Sequence, residues 1–285
     1  MFKTDTLKLN HIIVSGQKYL LKNNITNAKK EIEWFLIDQF KLNIADIKLN
    51  PDKTISQFEK KQFINFIDKR AEGKPFQYIL NKSNFYGYDF LVNSETLIPR
   101  PETELIIDIA LKKNKKFHQC LDIGTGSGNL AITLLLEKIA THVDAVDISK
   151  DALSVAKQNS LIHNIQKIKF YNQDIFQYQI NKKYDLIVSN PPYIKHSDYL
   201  KLPLEIRKYE PAVALTDFSN GFTFYKTIFK KLKNILNKGG ILLIEIGLEN
   251  TKDSINKIFK NNDFILHWHK DLNGDYRVLE VEYNV

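Results

Sequence analysis

Cysteine is almost absent: a single residue, Cys120, excludes an intramolecular disulfide framework and fits a reducing compartment. Cys120 stands in an apolar run beside Leu121, so a buried strand residue is expected there and not a reactive thiol. Long hydrophobic runs are missing as well. Met1–Asn10 has no continuous apolar stretch of signal-peptide type, and the longest candidate span, Ile241–Ile246, is interrupted by Glu245. A cytoplasmic protein with no membrane segment is expected. Neither an internal repeat nor a low-complexity tract stands out.

What is present suffices for a packed core. Hydrophobic residues make up 43% and aromatics 12% of 285 residues, which argues against wholesale disorder and allows one large domain with a small companion. The net charge of +8 suits a nucleic-acid partner and an acidic protein equally. Lysine is spread along the whole chain among many Asn and Ile, and runs such as Lys112-Lys113-Asn114-Lys115-Lys116 fall between predicted elements as solvated loops. The charge therefore carries little weight.

Residues 1–77 read as helical. Ala28, Ile32, Phe35 and Leu36 recur at helical spacing after a cap at Thr26-Asn27; Phe58, Phe63, Phe66 and Ile67 follow a start near Thr54–Ser56. Asn50 and Pro51 separate the two stretches, and Gly73 and Pro75 end the pattern. Residues 78–98 interleave aromatic and β-forming residues with Gly87, Asp89 and Asn93, as a β-hairpin linker would. Residues 99–285 then alternate strand and helix. Apolar runs at His118–Ile123, Val143–Ile148, Ile168–Tyr171, Tyr184–Ser189 and Ile241–Ile246 are separated by helical stretches such as Asp151–His163 and Phe222–Leu236. This order predicts an α/β fold with a parallel sheet covered on both faces. Two closing strands, Phe264–His269 and Arg277–Tyr283, are joined by Asn273-Gly274-Asp275, a turn short enough to require antiparallel neighbours.

Asp122-Ile123-Gly124-Thr125-Gly126-Ser127-Gly128 follows the first of these strands and opens a helix. Glycines there allow a tight turn and close approach of a ligand. The dinucleotide fingerprint needs its third glycine at position 129, which is Asn129. Gly-x-Gly-x-Gly behind an acid instead suits a ligand without pyrophosphate, such as S-adenosylmethionine. Asp122 either orients the loop backbone or meets the ligand's ammonium group. Asp147 ends the second strand, where an acid accepts from ribose hydroxyls. Asp174 follows the third strand, placed for an adenine amino group, with Ile175 beside it. Each acid alone reads as a helix cap or a turn. Together they converge on the carboxyl edge of the sheet, where open α/β folds bind ligands.

Asn190-Pro191-Pro192-Tyr193 follows the fourth strand. Consecutive prolines stop the strand and stiffen the loop. A stiff loop presenting a side-chain carbonyl from Asn190 and a backbone carbonyl accepts both hydrogens of a planar NH₂ group, and Tyr193 can stack on its face. Such a nitrogen is a poor nucleophile because its lone pair is delocalised. Fixed acceptors aim it and favour the positive charge it develops during attack.

With this string the glycine loop resembles methyltransferases that act on exocyclic or amide nitrogens. Gly73-Lys74-Pro75-Phe76-Gln77-Tyr78-Ile79, Phe85-Tyr86-Gly87 and Leu97-Ile98-Pro99-Arg100-Pro101-Glu102-Thr103-Glu104 narrow the resemblance to the protein-(glutamine-N5) methyltransferases of peptide-chain release factors. It runs from about residue 70 to the C-terminus, and the helical segment agrees with that family's small N-terminal domain. The resemblance implies a class I methyltransferase sheet and, as substrate, the glutamine of the Gly-Gly-Gln loop in class I release factors. It also implies that Gly124–Gly128 and Asp147 hold the cofactor, and that Asn190–Tyr193 hold the glutamine amide. Ile175 departs from relatives with an aromatic residue against the adenine. Arg100 and Glu102 are open between an ion pair and a cofactor or substrate role. No direct nucleic-acid contact is expected, and the chain is expected to act as a monomer. The same device would serve a ribosomal-protein glutamine, or adenine N6 or guanine N2 of a flipped base, although no target-reading module follows the sheet. A non-catalytic binding module would be marked by a broken catalytic string, and here the string is whole.

Overall fold

The computed structural model describes residues 1–50, 52–248 and 252–284; Pro51, expected between two helices, lies outside them. They form a helical unit, Met1–Asn81 with Leu204–Tyr209, and a sheet unit, Lys82–Pro203 with Glu210–Val285.

The helical unit contains α1 (Leu9–Lys22), α2 (Ala28–Phe40), α3 (Ile44–Leu49), α4 (Gln57–Ala71) and α5 (Phe76–Leu80). Ser56 starts α4 with a reciprocal cap. Its hydroxyl accepts from the Glu59 N–H at 3.2 Å, and the Glu59 carboxylate accepts from the Ser56 N–H at 2.7 Å. Asn27 precedes α2 but makes no side-chain cap bond. The stripes meet in one core, where the rings of Phe35 and Phe66 stack at 4.3 Å. Phe58 is 70% exposed. Five positions from Phe63 is about 140° around a helix, so it leaves the stripe. Glu31 and Arg70 form a buried ion pair at 2.6 Å, and Glu205 joins it at 3.3 Å. The unit extends to Asn81 because Phe76, Ile79 and Leu80 of α5 pack on its core.

The hairpin belongs to the sheet unit, since Phe85 and Phe90 lie in that unit's core. Its strands, β1 (Lys82–Phe85) and β2 (Tyr88–Leu91), turn at Tyr86-Gly87, both with positive φ (53° and 79°), the conformation that matches strand twist. Next come α6 (Glu104–Lys112), β3 (Phe117–Ile123), α7 (Asn129–Leu136), β4 (Ala140–Asp147), α8 (Lys150–Ile162), β5 (Ile168–Asn172) and β6 (Tyr184–Ser189). The short α9 (His196–Tyr199) and α10 (Leu204–Tyr209) precede α11 (Thr223–Ile235), β7 (Leu236–Glu245), α12 (Lys252–Phe259), β8 (Phe264–Lys270) and β9 (Tyr276–Tyr283).

The seven strands are ordered β5-β4-β3-β6-β7-β9-β8. β3 to β7 run parallel; β9 pairs antiparallel with β8, as the short turn at Gly274 demanded, and antiparallel also with β7. Alternate strand residues feed two cores: Cys120, Leu186 and Val188 on one side, Leu121, Ile123 and Ile187 on the other. Cys120 is fully buried, and burial raises its thiol pKa far above the ordinary value. The chain winds outward from β3 through β4 to β5, then crosses back to lay β6 against the other side of β3. The order therefore reverses between β3 and β6, and a crevice opens at their carboxyl ends. No helix among the described residues is long and apolar enough to cross a membrane.

Candidate active site

The loops after β3 and β6 share that crevice. Ser189 ties the strand ends together, its buried hydroxyl donating to the Ile123 carbonyl at 2.8 Å. The glycine loop then turns back under β4. The N–H groups of Gly124 and Thr125 both donate to the Val146 carbonyl, at 2.9 and 3.1 Å. Gly124, Gly126 and Gly128 have φ of 74°, 54° and 79°, a region that side chains disfavour. A Cβ on Gly128 would lie 3.1 Å from Ala156 Cβ, so this glycine lets α7 pack against α8.

A cavity runs from this loop to the proline loop. Gly124, Thr125, Gly126, Ser127, Asp147, Asp174, Ile175, Asn190, Pro191 and Pro192 line it. Asp122, Gly128 and Tyr193 are not on its wall. Asp122 is fully buried behind the loop, where its Oδ2 accepts from the Thr125 hydroxyl at 2.6 Å. Burial pushes its pKa up to about 7 against the pull of Thr125. Of the two roles considered for Asp122, this geometry serves the loop. Asp147 accepts from the Gly126 N–H at 2.8 Å and the Ser149 N–H at 2.9 Å. Its pKa is raised by burial, with these two bonds acting in the opposite direction. Each carboxylate oxygen retains acceptor capacity toward a ligand hydroxyl.

The Asn190 amide donates from Nδ2 to Thr103 Oγ1 at 3.0 Å. Thr103 in turn donates to Glu245 Oε2 at 2.5 Å, and the Tyr193 hydroxyl donates to Glu245 Oε1 at 3.0 Å. Glu245 is the acid that interrupts the apolar run of β7. Burial raises its pKa, and the Thr103 and Tyr193 hydroxyls and Arg277 oppose that shift. Burial and the adjoining Glu245 carboxylate raise the Tyr193 hydroxyl well above its usual value. The Tyr193 ring packs where a Gly247 Cβ would be 2.5 Å from its Cδ2, so Gly247 makes room for it.

Several partners at the site were not visible in the sequence pattern. Thr103, Glu245 and Asn159 are polar and almost fully buried. Asn159 accepts from Leu91 N–H at 2.7 Å and donates to the Leu91 and Ser127 carbonyls at 3.0 and 2.9 Å, tying the hairpin to the glycine loop. Glu245 had a detectable signal, an ionisable residue inside an apolar strand. Phe176 and Phe224 also line the cavity, with ring centroids 4.9 Å apart. They supply an aromatic surface next to Ile175. Arg100 pairs with buried Glu210 at 2.6 Å, while Glu102 stands 4.0 Å from Arg277. Glu210 also accepts from the Ile98 N–H at 3.2 Å. Arg100 nevertheless lines the cavity, so its ion pair and a ligand contact are compatible.

The chain is similar to known proteins over nearly its whole length. Residues 11–80 match a family model described as the PrmC N-terminal domain, and residues 101–204 match one described as the methyltransferase small domain. A release factor glutamine methyltransferase of Fusobacterium nucleatum is 36% identical over 284 residues, covering 98% of this chain and 79% of the relative. That of Bacillus cereus is 36% identical, covering 88% of this chain and 91% of the relative. A bifunctional methyltransferase of Rickettsia typhi is 35% identical, and the chain spans 52% of its length. Among solved structures, a methyltransferase from Pyrococcus furiosus shares the fold with a TM-score of 0.52 at 16% identity, over 81% of this chain and all of that one.

Proposed function

The chain belongs to the release factor glutamine methyltransferase family, and from that premise we propose that it methylates the side-chain amide nitrogen (N5) of the glutamine in the Gly-Gly-Gln loop of class I peptide-chain release factors. S-adenosylmethionine is the methyl donor. The observation that carries the reading is the adjacency of the two loops. A Cβ on Gly124 would lie 4.0 Å from the Asn190 main-chain oxygen, and Gly124, Asn190 and Pro191 line one cavity, so a ligand on the glycine loop would lie beside the proline loop.

The residues present fit such a cofactor. The wall offers glycine backbone without side chains, an acceptor carboxylate at Asp147, and apolar and aromatic surface at Ile175, Phe176 and Phe224. Gly124–Ser127 and Asp147 would hold the amino-acid and ribose portions, with Asp174 and Ile175 against the adenine. Asp122 and Gly128 support the loop from behind. When bound, S-adenosylmethionine supplies an electrophilic methyl group on a sulfonium.

The chain's own residues prepare the nitrogen. Asn190 Oδ1 and the Pro191 carbonyl accept its two hydrogens, which orients the NH₂ group and favours the positive charge that grows on it. Pro191 and Pro192 have no N–H to compete for those carbonyls and hold the loop stiff. Tyr193 braces it through Glu245. A strong base is not required, because the proton on the alkylated nitrogen is acidic enough to leave to solvent.

The helical unit grips the release factor away from the methylated loop. The protein acts in the cytoplasm as a monomer, without contacting nucleic acid directly. The deciding experiment supplies methyl-labelled cofactor with purified release factor carrying Gly-Gly-Gln or Gly-Gly-Ala. Label is expected only on the glutamine form. Equal labelling of both, or transfer to ribosomal RNA or a ribosomal protein instead, would overturn the assignment.

A further inference from the structure

We infer that Thr103 and Glu245 are positioning residues that fix which end of the Asn190 amide faces the substrate nitrogen. The inference rests on the proposed role of Asn190. A side-chain amide is nearly symmetric in shape but opposite in chemistry at its two ends. With Oδ1 toward the substrate, Asn190 accepts a hydrogen bond; turned over, it would offer a donor to a group that is itself a donor. The loop backbone does not choose between these states, since either places a planar group of equal size in the same space.

The choice is made through two hydrogen bonds. An ionised carboxylate only accepts, and both Glu245 oxygens are engaged by hydroxyls, Thr103 on Oε2 and Tyr193 on Oε1. The Thr103 hydroxyl has one proton, and it is committed to Glu245. Toward Asn190, Thr103 Oγ1 can therefore only accept, and it does so from Nδ2 at 3.0 Å. Oδ1 is left for the cavity, which Asn190 and Thr103 both line. Thr103 is 1% exposed and Glu245 1%, so both bonds lie out of bulk solvent, where a hydrogen-bond chain is electrostatically stronger. A carboxyl that kept its proton could send it to Thr103 and turn the chain of bonds around. Burial raises the Glu245 pKa, and the Thr103 and Tyr193 hydroxyls and Arg277 pull it the other way. The direction is read from the geometry, in which both carboxylate oxygens accept from hydroxyls.

The test measures release factor methylation and S-adenosylhomocysteine affinity in full-length variants. Thr103→Val keeps the shape of the side chain and removes the hydroxyl. It is expected to lower kcat between roughly 10- and 100-fold, the scale of a misaligned reacting group. Cofactor affinity and the KM for release factor should stay within about twofold, a split that a general loss of structure would not produce. Thr103→Ser restores the hydroxyl and should recover most of the loss. Native kcat in Thr103→Val, or no recovery in Thr103→Ser, would overturn the inference. If Asn190→Ala itself kept native turnover, the underlying assignment of Asn190 would fail instead, so the two failures are distinguishable. Neutron diffraction from the native protein gives a reading that needs no variant to fold. A deuteron is expected between Thr103 and Glu245; one between Thr103 and Asn190 Oδ1 would overturn the proposal.

Discussion

The two loops that meet in the crevice are held in opposite ways. The glycine loop is built from neighbours: Thr125 to Asp122, Gly128 to Thr125, and Gly126 to Asp147 at the end of the next strand. Most of its amides are used in closing the loop on itself and on β4. The proline loop has no N–H at Pro191 or Pro192, so it cannot close on itself. Its orientation comes from Thr103, 87 positions earlier, and Glu245, 52 positions after Tyr193. A loop that must wrap a ligand can be specified locally through backbone freedom. A loop that must aim one side chain needs fixed points elsewhere in the fold.

The sharpest way to break this comparison is to remove one acceptor from each loop. Asn190→Ala should lower kcat by roughly 100- to 1,000-fold, the cost of losing a preorganised transition-state partner. S-adenosylhomocysteine should bind it with native affinity. Asp147→Ala should behave in reverse. It loses two backbone partners and, under the proposed assignment, a ribose acceptor, so cofactor affinity should fall roughly 10- to 100-fold, as for charge-assisted bonds. Turnover at saturating cofactor should change much less. Calorimetry and steady-state kinetics on both variants separate the effects. Two variants with the same profile would mean that the loops do not divide cofactor binding from substrate aiming.

The same contrast accounts for how much was legible in the sequence. The strands, their parallel order and the closing hairpin followed from apolar runs and turn lengths, because burial on both faces leaves a strong local pattern. The glycine loop and its acids stood out by their spacing at strand ends, and the structure puts Asp147 and Asp174 on the cavity wall and Asp122 behind the loop. The string Leu97–Glu104 matched a family without any physical account of its residues. The fold supplies that account: Ile98 and Arg100 bind Glu210, Thr103 links Asn190 to Glu245, and Glu104 accepts from the Tyr86 N–H at 2.7 Å. Every one of these partners except Tyr86 lies more than 80 positions away, where no periodicity can report it. Glu245 interrupts its apolar strand and so announced that something was there, but not what it held.

Buried Asp122 sharpens the description of the glycine loop through pH. Its folded pKa of about 7 lies above the ordinary 3.8, so the folded state binds its proton more tightly than the unfolded chain. Its contribution to stability is therefore present in full below about pH 4 and declines as pH rises towards about 7, with a slope of at most ~1.4 kcal/mol per unit. In the cofactor-free protein Asp122→Asn should remove this component. Subtracting the stability profile of the variant from that of the native protein between pH 4 and 8 isolates it. A flat difference would mean that Asp122 is charged throughout. Within the same loop, Gly128→Ala should cost about 2 kcal/mol or more, because its Cβ would press on Ala156 and Ile132 at 3.1 Å as well as strain the backbone. Gly126→Ala meets no atom within 4 Å and should cost only about 1 kcal/mol from its positive φ. Chemical denaturation of the two variants gives the difference directly, and equal costs would discount the packing role of Gly128.

The smallest expected effect lies at the adenine end. Ile175 is buried at 6% exposure, whereas Phe176 is 42% exposed and leans on Phe224. If the aromatic pair supplies the surface that an aliphatic residue at 175 does not, Phe176→Ala should weaken S-adenosylhomocysteine by about 3- to 10-fold, the scale of one ring contact. It should change the unfolding midpoint less than a core deletion would, because Phe176 is 42% exposed. Ile175→Ala should instead lower stability by roughly 2–4 kcal/mol, since it empties part of the core behind the cavity. Native affinity in Phe176→Ala would assign the adenine surface to Ile175 and leave the ring pair outside the binding site. A loss of affinity confined to Phe176→Ala and Phe224→Ala would show that aromatic packing has been kept one residue along the chain from where the family pattern leads one to look.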